Sequence, residues 1–162
     1  MTKGKIITGA DNEVLRTKSE PVRDFDSGLK KLIKKMREQM KKAKGLGLAA
    51  PQVGESIRVC VVVLNYDTPS EMVIPMVNPE ILTHGEEKVL GEEGCLSLPG
   101  VYAKVERWNE ISVEFFDVGG GKHILQLEGL NARVVQHEID HLNGVLFIDR
   151  IKNKDTAGGV VM

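Results

Sequence analysis

Gln136-His137-Glu138-Ile139-Asp140-His141, near the end of a chain of 162 residues, is the stretch that most restricts the fold. It has the form H-E-x-x-H, and it asks for a helix. At ~3.6 residues per turn, positions four apart lie about 40° apart around a helix axis. His137 and His141 therefore project from one face, one turn apart, which is the bite two imidazoles need to hold one metal ion. Glu138 lies about 100° round from His137 and reaches the space beside the ion without being a ligand. Two neutral imidazoles, a water activated by the metal and a carboxylate to move its proton make up the logic of metal-assisted hydrolysis. Everything upstream must supply what this helix lacks: a third ligand, an oxyanion site and a substrate groove.

The length suits one domain with a real core, so residues 1–162 are expected to form a single unit. Hydrophobic residues make up 41% and charged residues 28%, the balance of a soluble globular protein. A formal net charge of −1 gives no overall basic field, and no direct nucleic-acid recognition is expected. The opening Met1-Thr2-Lys3-Gly4-Lys5-Ile6-Ile7 is no secretory signal, and no apolar run is long enough to cross a bilayer. Cys60 and Cys95, without a signal, fit a reducing compartment. A thiol there serves as ligand, nucleophile or core filler, and the cytoplasm is the expected location.

Along the chain, residues 1–23 read as an irregular entry. Asp26-Ser27 offers N-caps for an amphipathic helix over 28–44, with Leu29, Leu32, Ile33, Met36 and Met40 on one stripe and lysines over the rest. Gly45 suits a left-handed cap at its end. Gly45-Leu46-Gly47-Leu48-Ala49-Ala50-Pro51-Gln52-Val53-Gly54 does not suit regular structure; its small residues suit a backbone that something approaches closely. Gln52 is the one polar side chain there able both to donate and to accept. Residues 58–64 read as a buried strand with Cys60 as core filler. Residues 72–77 read as a strand interrupted by Pro75, and Asn78-Pro79 as a turn. Glu92 to Gly100 reads as an extended loop around Cys95. Residues 101–105 and 110–117 alternate like antiparallel strands with one wet face, and Gly119-Gly120-Gly121 turns the chain into a returning strand over 123–127.

Gly129 opens the metal helix and Asn143-Gly144 closes it. Leu130, Val134 and His141 fall within roughly 60° of His137 on the helical wheel, while Val135, Ile139 and Leu142 form a second apolar group about 150° round. Arg133, Gln136 and Asp140 make the polar side. A helix with two apolar faces is buried on both. One face packs into the core; the other carries the ligands with an apolar pocket beside them. The span from about 152 to 162 reads as a frayed, flexible tail. For the third ligand, Cys95 is the only thiol in a suitable setting, since open zinc-type sites take three protein ligands and a water.

Three stretches together resemble peptide deformylase: Gly45 to Gly54, Glu93-Gly94-Cys95-Leu96-Ser97-Leu98-Pro99, and Gln136-His137-Glu138-Ile139-Asp140-His141-Leu142-Asn143-Gly144. They stand in the family's order and near its spacing, and the resemblance covers residues 5 to 150. It implies an α+β fold with antiparallel β-sheets packed around a central metal-binding helix and an amphipathic helix near the N-terminus. It implies one divalent ion on Cys95, His137 and His141, physiologically Fe²⁺, with Zn²⁺, Ni²⁺ or Co²⁺ accepted in purified protein. The implied reaction removes the N-formyl group from the N-terminal formylmethionine of nascent polypeptides and releases formate. Glu138 is then the proton carrier, and Gln52 and the Leu96 backbone N–H are the oxyanion donors. Leu130, Val134 and Leu46 line the methionine pocket, and Gly45, Gly47 and Gly94 let the substrate backbone run alongside the chain.

The sequence departs from the family in two places. Arg133 stands where many relatives have an aliphatic residue at a rim of the pocket. The chain also stops within about twenty residues of the metal helix, where many bacterial members carry a long C-terminal helix associated with ribosome docking. A short end suits a Gram-positive-like, organellar or phage-encoded form, placing the protein in cytoplasm, organellar matrix or host cytoplasm. The expected partners are N-formylmethionyl nascent peptides and the ribosome near the exit tunnel, with no membrane, and a monomer is expected. The alternatives are an H-E-x-x-H zinc peptidase, for which only Asp149 offers a downstream ligand, and a non-catalytic domain with a structural metal site, which would want a fourth protein ligand.

Overall fold

The apolar stripe expected near the N-terminus forms a 16-residue helix whose start is fixed by Asp26, the side chain of which accepts from the Leu29 N–H at 3.0 Å. The computed structural model describes residues 5–153 and 160–162. In order, they form helices α1 (Glu13–Arg16) and α2 (Ser27–Lys42), strand β1 (Gly47–Ala49), a 3-10 turn (Ala50–Val53), and strands β2 (Val59–Leu64), β3 (Met72–His84) and β4 (Lys88–Cys95). Strands β5 (Leu98–Trp108), β6 (Glu110–Phe116) and β7 (Lys122–Glu128) follow, then helix α3 (Gly129–Leu142), a second 3-10 turn (Phe147–Arg150), and strands β8 (Ile151–Asn153) and β9 (Val160–Val161). The result is a mixed α/β fold with few helices and mostly antiparallel pairing.

One sheet has the order β1-β2-β3-β6-β7, the other β8-β5-β4-β9, and β9 runs parallel to β4. Helix α3 packs on β1, β2, β6 and β7 of the first sheet and on β5 of the second. Every residue from Ala132 to Leu142 is buried, as its two apolar faces require. Val134, Val135, Ile139 and Leu142 join the stripe of α2 and the β2 valines in one core, while Leu15, Cys95, Leu98, Val105 and Phe147 form a second, smaller one. Cys60 is fully buried in the first core, and burial pushes its thiol up, so it is inert filler.

Several local expectations are corrected. The left-handed residue after α2 is Lys44 (φ 58°), not Gly45. The Lys44 N–H donates to the Lys41 carbonyl and the Gly45 N–H to the Met40 carbonyl, both at 3.1 Å, which closes the helix by a Schellman pair one residue earlier than expected. Because a side chain in that region is strained, Lys44→Gly is expected to stabilise the protein by about 0.5–1 kcal/mol, read as a raised urea midpoint at unchanged slope. Strand β3 runs through Asn78-Pro79 instead of turning: Asn78 takes φ 50° at a register shift, and its side chain bonds both backbone groups of Val22. Pro75 sits where β3 is paired with β2 alone, a setting that tolerates a missing N–H.

Glu92 to Gly100 is a β4–β5 hairpin, not a loop, with Cys95 at its tip. β5 and β6 alternate as expected but belong to different sheets. The expected tail is strand at Ile151–Asn153 and again at Val160–Val161, and Met162 is fully buried; residues 154–159 lie outside the described span. The small-residue stretch is partly regular, through β1 and the 3-10 turn after it.

Candidate metal centre and substrate groove

Cys95 at the hairpin tip and His137 and His141 on α3 converge. Each offers a ligand atom, and these atoms lie within 4.8 Å of one another, all three residues buried. Cys95 Sγ stands 3.3 Å from His141 Nε2. His137 Nδ1 is bonded at 2.9 Å to Glu93, which leaves Nε2 pointing inward with no hydrogen-bond partner among the described residues. A histidine anchored through one nitrogen and open at the other is the arrangement of a metal ligand.

The electrostatics favour a cation there. Burial alone would lower the His137 pKa, but the Cys95 and Glu93 groups beside it outweigh burial and push it up to about 10. Burial and the neighbouring His137 hold His141 well below its usual value, so its lone pair is available. A thiolate, two imidazoles and a carboxylate behind one of them fit a divalent transition metal with an open position.

Glu138 is fully buried, and neither carboxyl oxygen has a hydrogen-bond partner among the described residues. Burial raises its pKa to about 7. It leans towards β1, where a Cβ added at Gly47 would come within 2.8 Å of its carboxyl carbon. Gln52 is held in a defined orientation: its Oε1 accepts from the Ala49 N–H at 2.9 Å, and its Nε2 donates to Ser97 Oγ at 3.0 Å and lies 3.8 Å from Cys95 Sγ. Ser97 in turn donates to the Ile7 carbonyl at 2.6 Å. Sequence reasoning singled out neither Ser97 nor Ile7 as a support of this site.

The substrate glycines were expected to let a substrate backbone run alongside the chain. The space a side chain would need is taken by the protein's own groups: Leu96 at Gly45, Glu138 at Gly47 and Tyr102 at Gly94. Leu46 and Val134 are buried in the main core, with half-buried Leu130 packed against it. Backbone bonds draw Val160–Met162 into this region: Leu46 N–H donates to the Val161 carbonyl at 3.0 Å, Met162 N–H to the Gly94 carbonyl at 3.0 Å and Leu96 N–H to the Met162 carbonyl at 3.2 Å.

The polar side of α3 is not solvated. Arg133, Gln136 and Asp140 are all buried. The missing partners are Glu93 and Arg107. Glu93 accepts from Arg107 Nε at 2.9 Å and Nη2 at 2.8 Å, from Arg133 Nη1 at 2.6 Å and from His137 Nδ1 at 2.9 Å. Arg107 Nη1 also donates to Asp140 at 2.6 Å, and Asp140 accepts again from the half-exposed Arg150 at 2.7 Å. Burial would raise the Glu93 carboxyl, but the bonds from Arg107 and His137 prevail and hold it far below the usual carboxylate range. Arg133 does not rim the pocket as a free charge; it is tied to Glu93 and to the Val105 and Val89 carbonyls. The one signal in the sequence was Glu93 itself, adjoining Gly94-Cys95.

Residues 5–157 match the family model described as polypeptide deformylase. The chain belongs to the polypeptide deformylase family. Peptide deformylase 1 from Bacillus anthracis is 51% identical over 140 residues, covering 86% of this chain and 87% of that protein. A peptide deformylase from Prochlorococcus marinus (strain MIT 9312) is 42% identical over 144 residues, 89% of this chain and 72% of the relative. Among solved structures, the Thermotoga maritima peptide deformylase superposes with a TM-score of 0.86 at 44% identity, covering 91% of this chain and 97% of that one. The class I type b peptide deformylase from Acinetobacter baumannii with Met-Ala-Ser bound gives 0.83 at 38% identity, covering 90% and 96%.

As a deformylase, the enzyme is a metal-dependent hydrolase that removes N-formyl groups from nascent peptides. The zinc-peptidase alternative would draw on Asp149, but that carboxylate is bonded to Arg16 and to the Leu146 N–H. No helix among the described residues is long and apolar enough to cross a membrane.

Proposed function

We propose that Cys95, His137 and His141 hold one divalent ion, Fe²⁺ in the cell and replaceable by Zn²⁺, Ni²⁺ or Co²⁺, and that the formyl group of formylmethionyl peptides is hydrolysed beside it. The observation that carries this assignment is the buried Glu138 carboxyl, which has no hydrogen-bond partner among the described residues and stands 3.9 Å from His137 Nε2, next to three converging ligand atoms. Bound there, the ion supplies Lewis acidity and lowers the pKa of a water from ~15.7 towards ~7. Glu138 takes the proton of the water that attacks the formyl carbon and returns it to the leaving amine nitrogen. A carboxyl with its pKa raised by burial is suited to both transfers.

The Gln52 amide and the Leu96 backbone N–H stabilise the oxyanion of the tetrahedral intermediate. Because Ala49 and Ser97 fix the amide, its donor meets the developing charge without reorganising. Gln52→Ala is therefore expected to fold and to lower kcat by about 10²–10³-fold in a formate-release assay. Leu46, Leu130 and Val134 receive the methionine side chain, and the backbone at Gly45, Gly47 and Gly94 flanks the peptide.

Residues 1–162 act as one catalytic domain, working as a monomer in the cytoplasm on nascent chains near the ribosome. The test is formate release from formyl-Met-Ala-Ser by protein purified anaerobically and reconstituted with Fe²⁺, Ni²⁺ or Zn²⁺. One equivalent of bound metal without formate from any ion would remove the ligand-and-base assignment.

A further inference from the structure

Val160–Met162 is placed like a bound peptide. It pairs in parallel with β4, Glu93 opposite Val160 and Gly94 opposite Val161. On its other side lies β1, whose far side is paired with β2: the Leu46 carbonyl accepts from the Val63 N–H, while its N–H reaches the Val161 carbonyl. The segment thus bridges the edges of both sheets by backbone bonds, which is strand addition. Its end is more telling. The Met162 side chain is fully buried in the same apolar cluster as Leu46 and Val134, the residues assigned to the methionine pocket. The Met162 carbonyl accepts from the Leu96 N–H, the donor assigned to the oxyanion.

We propose that Val160–Met162 is a built-in, displaceable occupant of the substrate groove: the chain's own methionine competes with the formylmethionyl end of a substrate. The inference rests on the groove assigned above. The mimicry is of reversed sense. In a substrate, the carbonyl at the oxyanion site is bonded to the methionine nitrogen; here it is bonded to the methionine Cα, so this carbonyl carries no cleavable formamide. The occupant can be inspected by the pocket and not hydrolysed. Displacement has a starting point, because a cavity of about 260 Å³ lined by Leu96, Leu98, Tyr102 and Val161 borders the segment. A peptide side chain can lodge there before the inner methionine leaves. Substrate then binds only to the open fraction of molecules, and KM rises as the inverse of that fraction.

The test uses the full chain loaded with Ni²⁺. In protein labelled with ¹³C at the methionine methyls, the Met162 signal, assigned by comparison with Met162→Leu, is followed as Met-Ala-Ser is added. Its movement from a buried to a solvent position, saturating at the same peptide concentration as binding measured by calorimetry, is the expected result. An unmoved Met162 signal while the peptide binds would overturn the proposal and leave the groove assignment standing. Absence of Met-Ala-Ser binding would overturn both. In parallel, Met162→Asp is expected to lower KM for formyl-Met-Ala-Ser about tenfold at unchanged kcat, the change due if the groove is occupied about nine-tenths of the time. The pentapeptide Gly-Gly-Val-Val-Met should then inhibit this variant competitively. An unchanged KM in a variant that melts like wild type would refute self-occupancy, as would a loss of kcat at unchanged KM.

Discussion

Glu138→Gln is expected to lower kcat by about 10²–10⁴-fold while the variant still binds one equivalent of metal. The substitution keeps the shape that Gly47 accommodates and removes only the ability to hold a proton. It should not destabilise the protein. A carboxyl that is fully buried with neither oxygen partnered among the described residues costs folding free energy, and a neutral amide relieves part of that cost. Formate release, metal analysis and a thermal melt on one preparation separate the possibilities. Loss of activity with full metal and an equal or higher melting temperature assigns proton transfer to Glu138. An active Glu138→Gln variant would refute the assignment.

Glu93→Ala should have the largest effect on stability. It removes the acceptor of four hydrogen bonds and leaves Arg107 and Arg133 buried, with Arg133 deprived of its carboxylate and Arg107 of its bidentate partner. Breaking a buried pair from one side costs about 3–5 kcal/mol, which a urea titration would read directly. His137 loses the group that fixes its tautomer, so metal affinity should fall about 10–100-fold as well. The pH dependence follows from the depressed folded pKa of Glu93. Its stabilisation is fully present above the unfolded carboxylate value of ~4.3 and is lost only as pH falls through the depressed folded value. Wild type should therefore lose this contribution in strong acid, and Glu93→Ala should lack that part of the acid transition. A Glu93→Ala protein as stable as wild type at pH 7 would show that the ion network contributes nothing net.

The candidate ligands were readable because H-E-x-x-H on a helix fixes its own geometry, and Cys95 stood out as a thiol flanked by Gly94 and Leu96. Asp26 and the stripe of α2 were readable for the same local reason. Most of the errors share one cause: they concern positions whose environment is set by partners distant in sequence. Arg133, Gln136 and Asp140 have the composition of a wet helix face, and only the closeness of Glu93, Trp108 and Arg107 makes that face internal. Asn78-Pro79 has the composition of a turn, but Val22 supplies the bonds that let the strand continue. Lys44 took the left-handed position because the helix ended one residue sooner than glycine preference indicates. Met162 carries no local mark of burial at all.

The entry segment gives the order in which the enzyme can become active. Ile7 N–H donates to the Gln52 carbonyl at 2.7 Å, Ser97 returns a bond to the Ile7 carbonyl, and Gly9 N–H donates to the Ser97 carbonyl at 3.0 Å. Residues made first are thus braced by a hairpin made midway, and that hairpin's thiol waits for two imidazoles made near the end. During its own synthesis the chain can hold no complete site until α3 has left the exit tunnel. A chain stalled anywhere before His141 is therefore catalytically silent, and Cys95 stays unclosed and open to metal capture or oxidation from its own synthesis until His141 follows it.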